Sequence, residues 1–435
     1  MTGIRLVYIG GGSTRAPGTI ASLVQRGAAF AGSEIVLVDL DADRLDVVRR
    51  LTERMASVRG LDLRVTATRD RAAALDGADV VLTSFRPGGF EARALDEAIP
   101  LRHGVIGQET QGPGGFFMAL RSIAVMREIV MEMERSCPEA WLVNYTNPVN
   151  IVSEAITHHS PIRCVSLCEG PIVFPGGIAR LAGLEPERLD ATLVGLNHTG
   201  WSVRHEYDGA DVMPLIESAA DRLDERGGPT TRGELMLHLA ATMGALPSAY
   251  LYYYYFADHA LEEARCAPRT RAQEIMASVD DYWAHYREQA DAADPHLDPE
   301  RSRGGILELE LAVDVIDALV NDRGSIWPVN VPNHAGTLAG FPPDLVVEIP
   351  ARVSTAGWQP IEVPPIPRQA RGLIEALGEY QALTAEAAWS GDRRGGIRAL
   401  ASHPLVLTLP KAEALYDEMA AAHAAHLPAR LVTSS

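Results

Sequence analysis

The 435-residue chain reads as an α/β protein. An N-terminal doubly wound parallel sheet is expected, joined to a C-terminal mixed, helix-rich α/β domain. Three observations predict this. The first part of the chain, to residue 195, alternates short apolar runs with helical patterns. Its apolar runs are continuous, which marks strands buried on both faces of a parallel sheet. The length exceeds one ordinary core, which stops growing near ~250–300 residues, so two domains are expected. Their predicted extents are residues 1–195 and 196–435.

The elements follow in order. Ile4–Ile9 is the first strand. Pro17–Arg26 is a helix with Pro in its first turn and Gly27 at its end. Glu34–Leu40 is the second strand, carrying Asp39 near its carboxyl end. Asp41–Val58 is an amphipathic helix stopped at Gly60. Asp62–Ala67, Ala78–Phe85, Ala140–Tyr145 and Arg163–Leu167 are further strands, and Gly115–Ser136 is the longest helix among them. Helices dominate the second half: Met213–Glu225, Arg232–Leu246, Arg269–Ala292 and Arg368–Ser390. Arg301–Asn333 adds a helix and an apolar segment, and Gly340–Gln359 a strand and turn. Pro360–Pro367 is an extended connector, Lys411–Ala425 a polar helix, and the tail from Leu427 is expected to fray.

Composition narrows the function. Lys and Arg total 39 against 57 Asp and Glu, a formal net charge of −18. That balance argues against a nucleic-acid scaffold or an anionic membrane surface. Lys411 is the sole lysine. No Lys follows a glycine loop, which removes a Walker-type phosphate loop, and a Schiff base would have to use Lys411. Cys137, Cys164, Cys168 and Cys266 are irregularly spaced and make no disulfide framework. The N-terminus lacks a charged n-region and a cleavage site, and no apolar run approaches ~18 residues. A reducing cytoplasm is the expected compartment, where thiols stay free for metal or catalysis.

Gly10-Gly11-Gly12-Ser13 follows the first strand and opens a helix whose N-terminus suits a pyrophosphate. Asp39, at the end of the next strand, suits the hydroxyls of an adenine ribose. This order of strand, glycines, helix, strand and acid predicts a Rossmann-like NAD site. Arg15 stands where the usual third glycine falls; the alternative is an ordinary tight turn with an acidic cap.

Cys168 ends a strand, where open α/β sheets bind ligands. With His198 it makes a metal-ligand candidate, although thirty residues of separation by themselves fit a buried cysteine and a hydrogen-bonded histidine better. Tyr250, Tyr252, Tyr253, Tyr254 and Tyr255 cannot all face one core, since helical residues turn about 100° each. At least one should reach a cleft or an interface. Asn147 reads as an N-cap with Pro148 in the first helical position. The loop Gly107–Gly115 is polar and non-periodic, as functional loops often are. Arg86, Arg93 and Arg303 are the arginines nearest such loops.

These segments together resemble glycoside hydrolase family 4, in particular its bacterial 6-phospho-β-glucosidases. The stretches that carry the resemblance are Ile9–Thr14, Arg93–Glu97, Ile106–Thr110, Asn144–Val149, Cys168–Pro171, Gly195–His198, Tyr250–Tyr254 and Val329–Asn333. The resemblance implies an NAD- and metal-dependent glycosidase, outside the usual two-carboxylate scheme. In the mechanism the resemblance implies, NAD⁺ oxidises C3 of the sugar, which acidifies the C2 proton. A base removes it, the aglycone leaves by elimination, water adds, and NADH returns the hydride. The resemblance implies Cys168 and His198 as ligands of Mn²⁺ or another divalent metal, and Tyr250 as the base. Gly10, Gly12, Ser13 and Asp39 would hold NAD. Arg93, Glu109 and Asn147 would contact the substrate, and Arg303 its 6-phosphate.

Glu169 follows the metal cysteine where β-specific members usually carry Asn. It would be a general acid as in some α-specific members, or orient a metal-bound water, or cap the next helix. Glu169 leaves an α-linked glycoside as an alternative substrate, and Ile306–Leu309, which replaces a more aromatic pattern, leaves a non-phosphorylated one. A hydroxy-acid or sugar dehydrogenase is the alternative from another class, and a non-catalytic NAD-bound sensor a third. A homodimer or homotetramer is implied by the family's habit, with a small-molecule glycoside, not nucleic acid or membrane, as partner.

Overall fold

The computed structural model describes residues 3–303 and 310–433. Six strands lie in the first half: β1 (Arg5–Ile9), β2 (Ser33–Val38), β3 (Leu63–Thr68), β4 (Val80–Thr83), β5 (Trp141–Asn144) and β6 (Arg163–Ser166). Six more follow: β7 (Leu189–Val194), β8 (Trp201–Tyr207), β9 (Ala210–Asp211), β10 (Ser325–Pro332), β11 (Val346–Ser354) and β12 (Gly357–Pro360). The first six pair in parallel in the order β3-β2-β1-β4-β5-β6. This is the doubly wound order expected from the continuous apolar runs. The order reverses between β1 and β4, where such sheets bind ligands. Val7, Val80, Val81, Leu142 and Val143 are wholly buried, as strands covered on both faces require.

The sheet then crosses residue 195. β10 adds antiparallel to β6 with Asn330 opposite Ser166, and β11 and β12 continue antiparallel to the edge. Among the described residues this makes nine strands, and β7-β8-β9 form a separate antiparallel sheet. The helix Arg271–Asp291, from the second half, packs on Ala42–Val58. Its Tyr286 hydroxyl donates to Thr14 O at 2.9 Å and accepts from Arg303 N at 2.9 Å. The second half therefore closes over the loop after β1.

Local chemistry sets the helix ends. The Asp41 carboxylate accepts from the backbone N–H groups of Asp43 and Arg44 at 3.1 and 3.0 Å, capping Ala42–Val58. The helix Gly112–Ser136 runs through the core and carries Arg121, fully buried and paired with both oxygens of Asp96 at 3.0 and 2.5 Å. A buried charge requires such a bidentate partner.

Two expectations are corrected. Asn147 is not the N-cap: Pro148 holds that position and the helix begins at Val149. The tail does not fray at Leu427. Ala429–Val432 forms a helical turn, Leu431 is buried, and Tyr416 donates to Leu431 O at 3.0 Å. One buried leucine per turn is too short a pattern to read as an element. Gly304, Gly305 and Ile306–Leu309 lie outside the described residues.

Candidate functional site

The loop after β1 is shaped by backbone. Gly10 N and Gly11 N donate to Val38 O at 2.9 and 3.0 Å, tying the loop to the end of β2. Gly10 has φ +99°, and a Cβ there would sit 2.1 Å from Ser84 O. A Cβ on Gly12 would sit 2.9 Å from the Asp39 carboxyl carbon, because Gly12 N donates to Asp39 Oδ2 at 3.0 Å. Leu40 N donates to the other Asp39 oxygen at 2.7 Å. The acid is thereby fixed by two amides, with lone pairs left for hydroxyl donors. Arg15, in the third-glycine position, is the residue before the helix Ala16–Gln25.

The loop opens on a cavity of about 880 Å³. Gly10, Gly12, Ser13 and Asp39 line it, together with Arg86, Asn147 and Arg303. The size and the glycine cradle fit an extended dinucleotide with its phosphates at a helix N-terminus.

Four arginines converge on one acid. Arg86 Nη2 and Arg93 Nη1 lie 2.6 and 2.9 Å from Glu109 Oε2. Arg93 is held in turn by Glu97 at 2.7 Å, and Glu97 accepts Ala272 N at 2.8 Å. Burial opposes ionisation of Glu109, but Arg86 and Arg93, with Arg15 and Arg303 beyond them, hold its pKa down to about 2. Arg303 lies over the Phe90 ring, 4.5 Å from its centroid. Burial, then Arg15 and Arg86, bring its pKa down to about 9. A chain of net charge −18 thus concentrates cations at one point, as anion binding requires.

The metal candidates meet. Cys168 Sγ lies 3.6 Å from His198 Nε2, although thirty residues separate them. Thiolate and imidazole ligands of one tetrahedral cation, at ~2.3 and ~2.1 Å, stand about 3.5 Å apart. The pair therefore fits two ligands of one ion. Among the described residues no group of three His, Cys, Asp or Glu gathers to hold a metal ion. Burial pulls the His198 pKa down to about 4 and keeps the ring neutral, the state a ligand needs. Burial, then Glu348 and Glu169, push the Cys168 thiol up.

The scaffold around this pair is polar and buried. His198 has φ +69°, in the turn between β7 and β8, and its carbonyl accepts from Ser248 Oγ at 2.8 Å. Its Nδ1 lies 3.0 Å from Thr110 Oγ1. Glu348 Oε1 accepts from Asn197 and Asn330 at 2.9 and 3.0 Å. Gly195 and Glu348 also exchange backbone bonds at 3.1 and 2.8 Å. Burial raises Glu348 to about 7.

Tyr250 stacks on His198, ring centroids 3.7 Å apart and 6° from parallel. Burial, then Glu109 and Cys168, push its phenol up. It is the tyrosine of the cluster that stacks on His198. Tyr252 is buried and donates to Glu263 at 2.6 Å, and Tyr254 donates to Gln111 at 2.6 Å. Glu169 begins the helix Gly170–Leu181 but makes no side-chain cap bond, which removes its capping role. Its charge instead acts on Tyr145, whose phenol is raised first by burial and then by Glu169.

The fold brings Cys168, His198 and Tyr250 together, sets Arg86 and Arg93 on Glu109, and lines one cavity with Gly10, Gly12, Ser13, Asp39, Asn147 and Arg303. It adds Thr110, Gln111, Asn197, Asn330 and Glu348. Thr110 and Gln111 sit in the polar loop noted above. Glu348 is a lone acid in an apolar strand, the one signal it gave.

The doubly wound sheet, the glycine loop at its switch point and the thiol–imidazole pair define a dinucleotide-binding class of α/β enzyme. Within that class the chain belongs to the family 4 glycosyl hydrolases. The family's "Family 4 glycosyl hydrolase" description matches residues 5–184, and its "C-terminal domain" description residues 193–406. The chain is 35% identical over 435 residues to a probable 6-phospho-beta-glucosidase of Bacillus subtilis (strain 168), covering 98% of each. It superposes on a 6-phospho-alpha-glucosidase from gut microorganisms, in complex with NAD and Mn²⁺, with TM-score 0.85 at 26% identity. That match covers 98% of this chain and 99% of the other. It also superposes on the Thermotoga maritima 6-phospho-beta glucosidase, with NAD and glucose-6-phosphate, with TM-score 0.84 at 28% identity and the same coverage. The chain is a glycosidase, and the dehydrogenase and sensor readings fall away.

Proposed function

We propose that this glycosidase hydrolyses 6-phospho-β-glucosides with bound NAD and Mn²⁺ or another divalent metal. The observation that carries the reading is the meeting of Cys168 with His198 and of His198 with Tyr250, in a fold whose glycine loop and Arg303 line one cavity. The substrate class follows its relatives' names, and the cofactors follow the complexes of its structural neighbours.

When bound, NAD⁺ supplies a reversible hydride acceptor and the cation a Lewis acid. Gly10 and Gly12, whose lack of side chains lets a ligand approach the backbone, bind the dinucleotide with Ser13 and Asp39. Cys168 and His198 hold the cation. Arg93, Glu109 and Asn147 orient the sugar hydroxyls, and Arg303 takes the 6-phosphate through its planar fork. Tyr250 removes the C2 proton. Its phenol must be lowered from its buried value, and a nearby cation does that. Glu169 donates a proton to the leaving oxygen. That carboxyl also favours a second reading, cleavage of the α-anomer, and the α-glucosidase neighbour superposes as well as the β. Residues 1–195 bind the cofactor and also lend Cys168, Arg93, Glu109 and Asn147, while 196–435 complete the substrate and metal site with His198, Tyr250 and Arg303; the working form is a cytoplasmic homodimer or homotetramer.

The test is aglycone release from nitrophenyl α- and β-glucosides, each with and without a 6-phosphate, in NAD⁺, Mn²⁺ and reductant. Release that needs both NAD⁺ and Mn²⁺, without NADH accumulating, is expected, fastest on the 6-phospho-β-glucoside. Preference for the α-anomer or for the unphosphorylated sugar overturns the substrate assignment.

A further inference from the structure

Between the metal-facing histidine and the polar loop lies a chain of hydrogen bonds whose direction can be settled by counting donors. Gln108 Oε1 accepts two backbone amides, Thr110 N at 2.6 Å and Gln111 N at 2.8 Å. Backbone amides only donate, so this atom is the carbonyl oxygen of the side chain. Thr110 Oγ1 lies 2.9 Å from the same oxygen and must donate its one proton there. The hydroxyl is left with lone pairs only. Its contact with His198 Nδ1 at 3.0 Å is then made only if the imidazole nitrogen carries the hydrogen.

A second strand of bonds agrees. Tyr254 donates to Gln111 Oε1 at 2.6 Å, which turns Gln111 Nε2 toward Thr110 Oγ1 at 3.4 Å as a further donor. Thr110 Oγ1 thus accepts from His198 and Gln111 and donates to Gln108. The opposite tautomer would set two lone pairs against each other at the shortest contact the ring makes. Gln111 Nε2, 3.5 Å from Nδ1, offers it only a longer bond.

We infer that Gln108 and Thr110 are positioning residues that lock His198 in the Nδ1–H tautomer, leaving the Nε2 lone pair aimed at Cys168 and ready for a cation. The inference rests on the metal-ligand reading above and deepens it. It places the specification of the site in the loop 107–115, some ninety residues before the histidine it governs. Such outer partners fix the ring's tautomer and orientation and are worth ~10–100-fold in metal affinity. Valine has threonine's shape without its hydroxyl, so Thr110→Val removes the acceptor with little change in packing, and Thr110→Ser keeps it.

The experiment measures Mn²⁺ affinity by electron paramagnetic resonance. It also reads the His198 tautomer from long-range nitrogen–proton NMR spectra of metal-free, histidine-labelled protein. Wild-type His198 is expected as Nδ1–H. Thr110→Val is expected to populate Nε2–H and to weaken Mn²⁺ about 10–100-fold. NAD⁺ affinity and the thermal midpoint stay near wild type, and Thr110→Ser recovers Mn²⁺ affinity to within a few-fold. If Thr110→Val does not fold, Gln108→Met frees the Thr110 hydroxyl to donate to Nδ1 and is expected to shift the tautomer the same way. Wild-type Mn²⁺ affinity in the Val variant, or an Nε2–H ring in the wild type, overturns the inference. Cys168→Ser and His198→Asn separate the two levels. If they lose Mn²⁺ and Thr110→Val does not, only the tautomer lock fails. If they also bind as wild type, the metal-ligand reading fails with it.

Discussion

The two ends of the proposed site, one for the cofactor and one for the metal, are built by opposite means. The cofactor end comes from one contiguous stretch, β1 through Asp39, and is shaped by backbone amides and the absence of side chains at Gly10 and Gly12. The metal end draws Cys168, His198 and Tyr250 from three separate segments, and Thr110 and Glu348 from two more. A site made of backbone survives most substitutions and fails where a Cβ intrudes. A site made of side chains fails at each of its members, and leaves the other end intact. The separation of the two ends is therefore testable by asking whether damage to one is felt at the other.

The largest effect belongs to Cys168→Ser. Metal-stimulated aglycone release is expected to fall at least ~10⁴-fold, and NAD⁺ binding followed by fluorescence to persist. Loss of NAD⁺ affinity in that variant would break the comparison. Tyr250→Phe comes next, with kcat down about 10³-fold, the range of a lost general base. Its Mn²⁺ and NAD⁺ affinities should both hold, which distinguishes a base from a packing residue on His198.

The third effect is on stability. Folding raises Glu348 from 4.5 to about 7, so the folded chain keeps a proton that the unfolded chain releases. The stability of that protonated state is fully present below 4.5 and drains as pH rises through about 7. The loss is on the order of 3 kcal/mol. Glu348→Gln cannot titrate and should flatten the stability profile over that window, as urea unfolding on either side of it will measure. An unchanged slope would mean that the metal end has no proton-sensitive scaffold. The smallest effect is Gly12→Ala at the cofactor end. Its Cβ would press on the Asp39 carboxyl, and an NAD⁺ affinity lowered about tenfold, with Mn²⁺ affinity unchanged, is expected.

The same contrast explains what the sequence made legible. Continuous apolar runs and the glycine loop are local patterns, and β1 through β6 fell within one or two residues of their expected ends. Leu40 read as strand, yet it is 82% exposed, because Asp39 turns back to cap Gly12. The pair Cys168 and His198 was visible as residue types only, since between them the chain runs through the helix Gly170–Leu181 and into β7 of the other sheet, and spacing carries no information across that path. Glu348 and Thr110 gave weaker signals still. Their importance lies in which donor faces which acceptor, and that is fixed by tertiary approach, not by neighbours in the chain.

The join between β6 and β10 has a kinetic consequence. Asn330 Nδ2 reaches Ser166 O across 164 residues of sequence. Synthesis proceeds at ~5–20 residues per second, so β6 emerges as a bare sheet edge on the order of ten seconds or more before its neighbour exists. Unpaired edges template aggregation, and pairings of such long sequence separation form late. Overproduction at reduced temperature, or with chaperones that shield the nascent edge, should raise the yield of folded enzyme. A fragment ending at residue 195 would carry that exposed edge permanently.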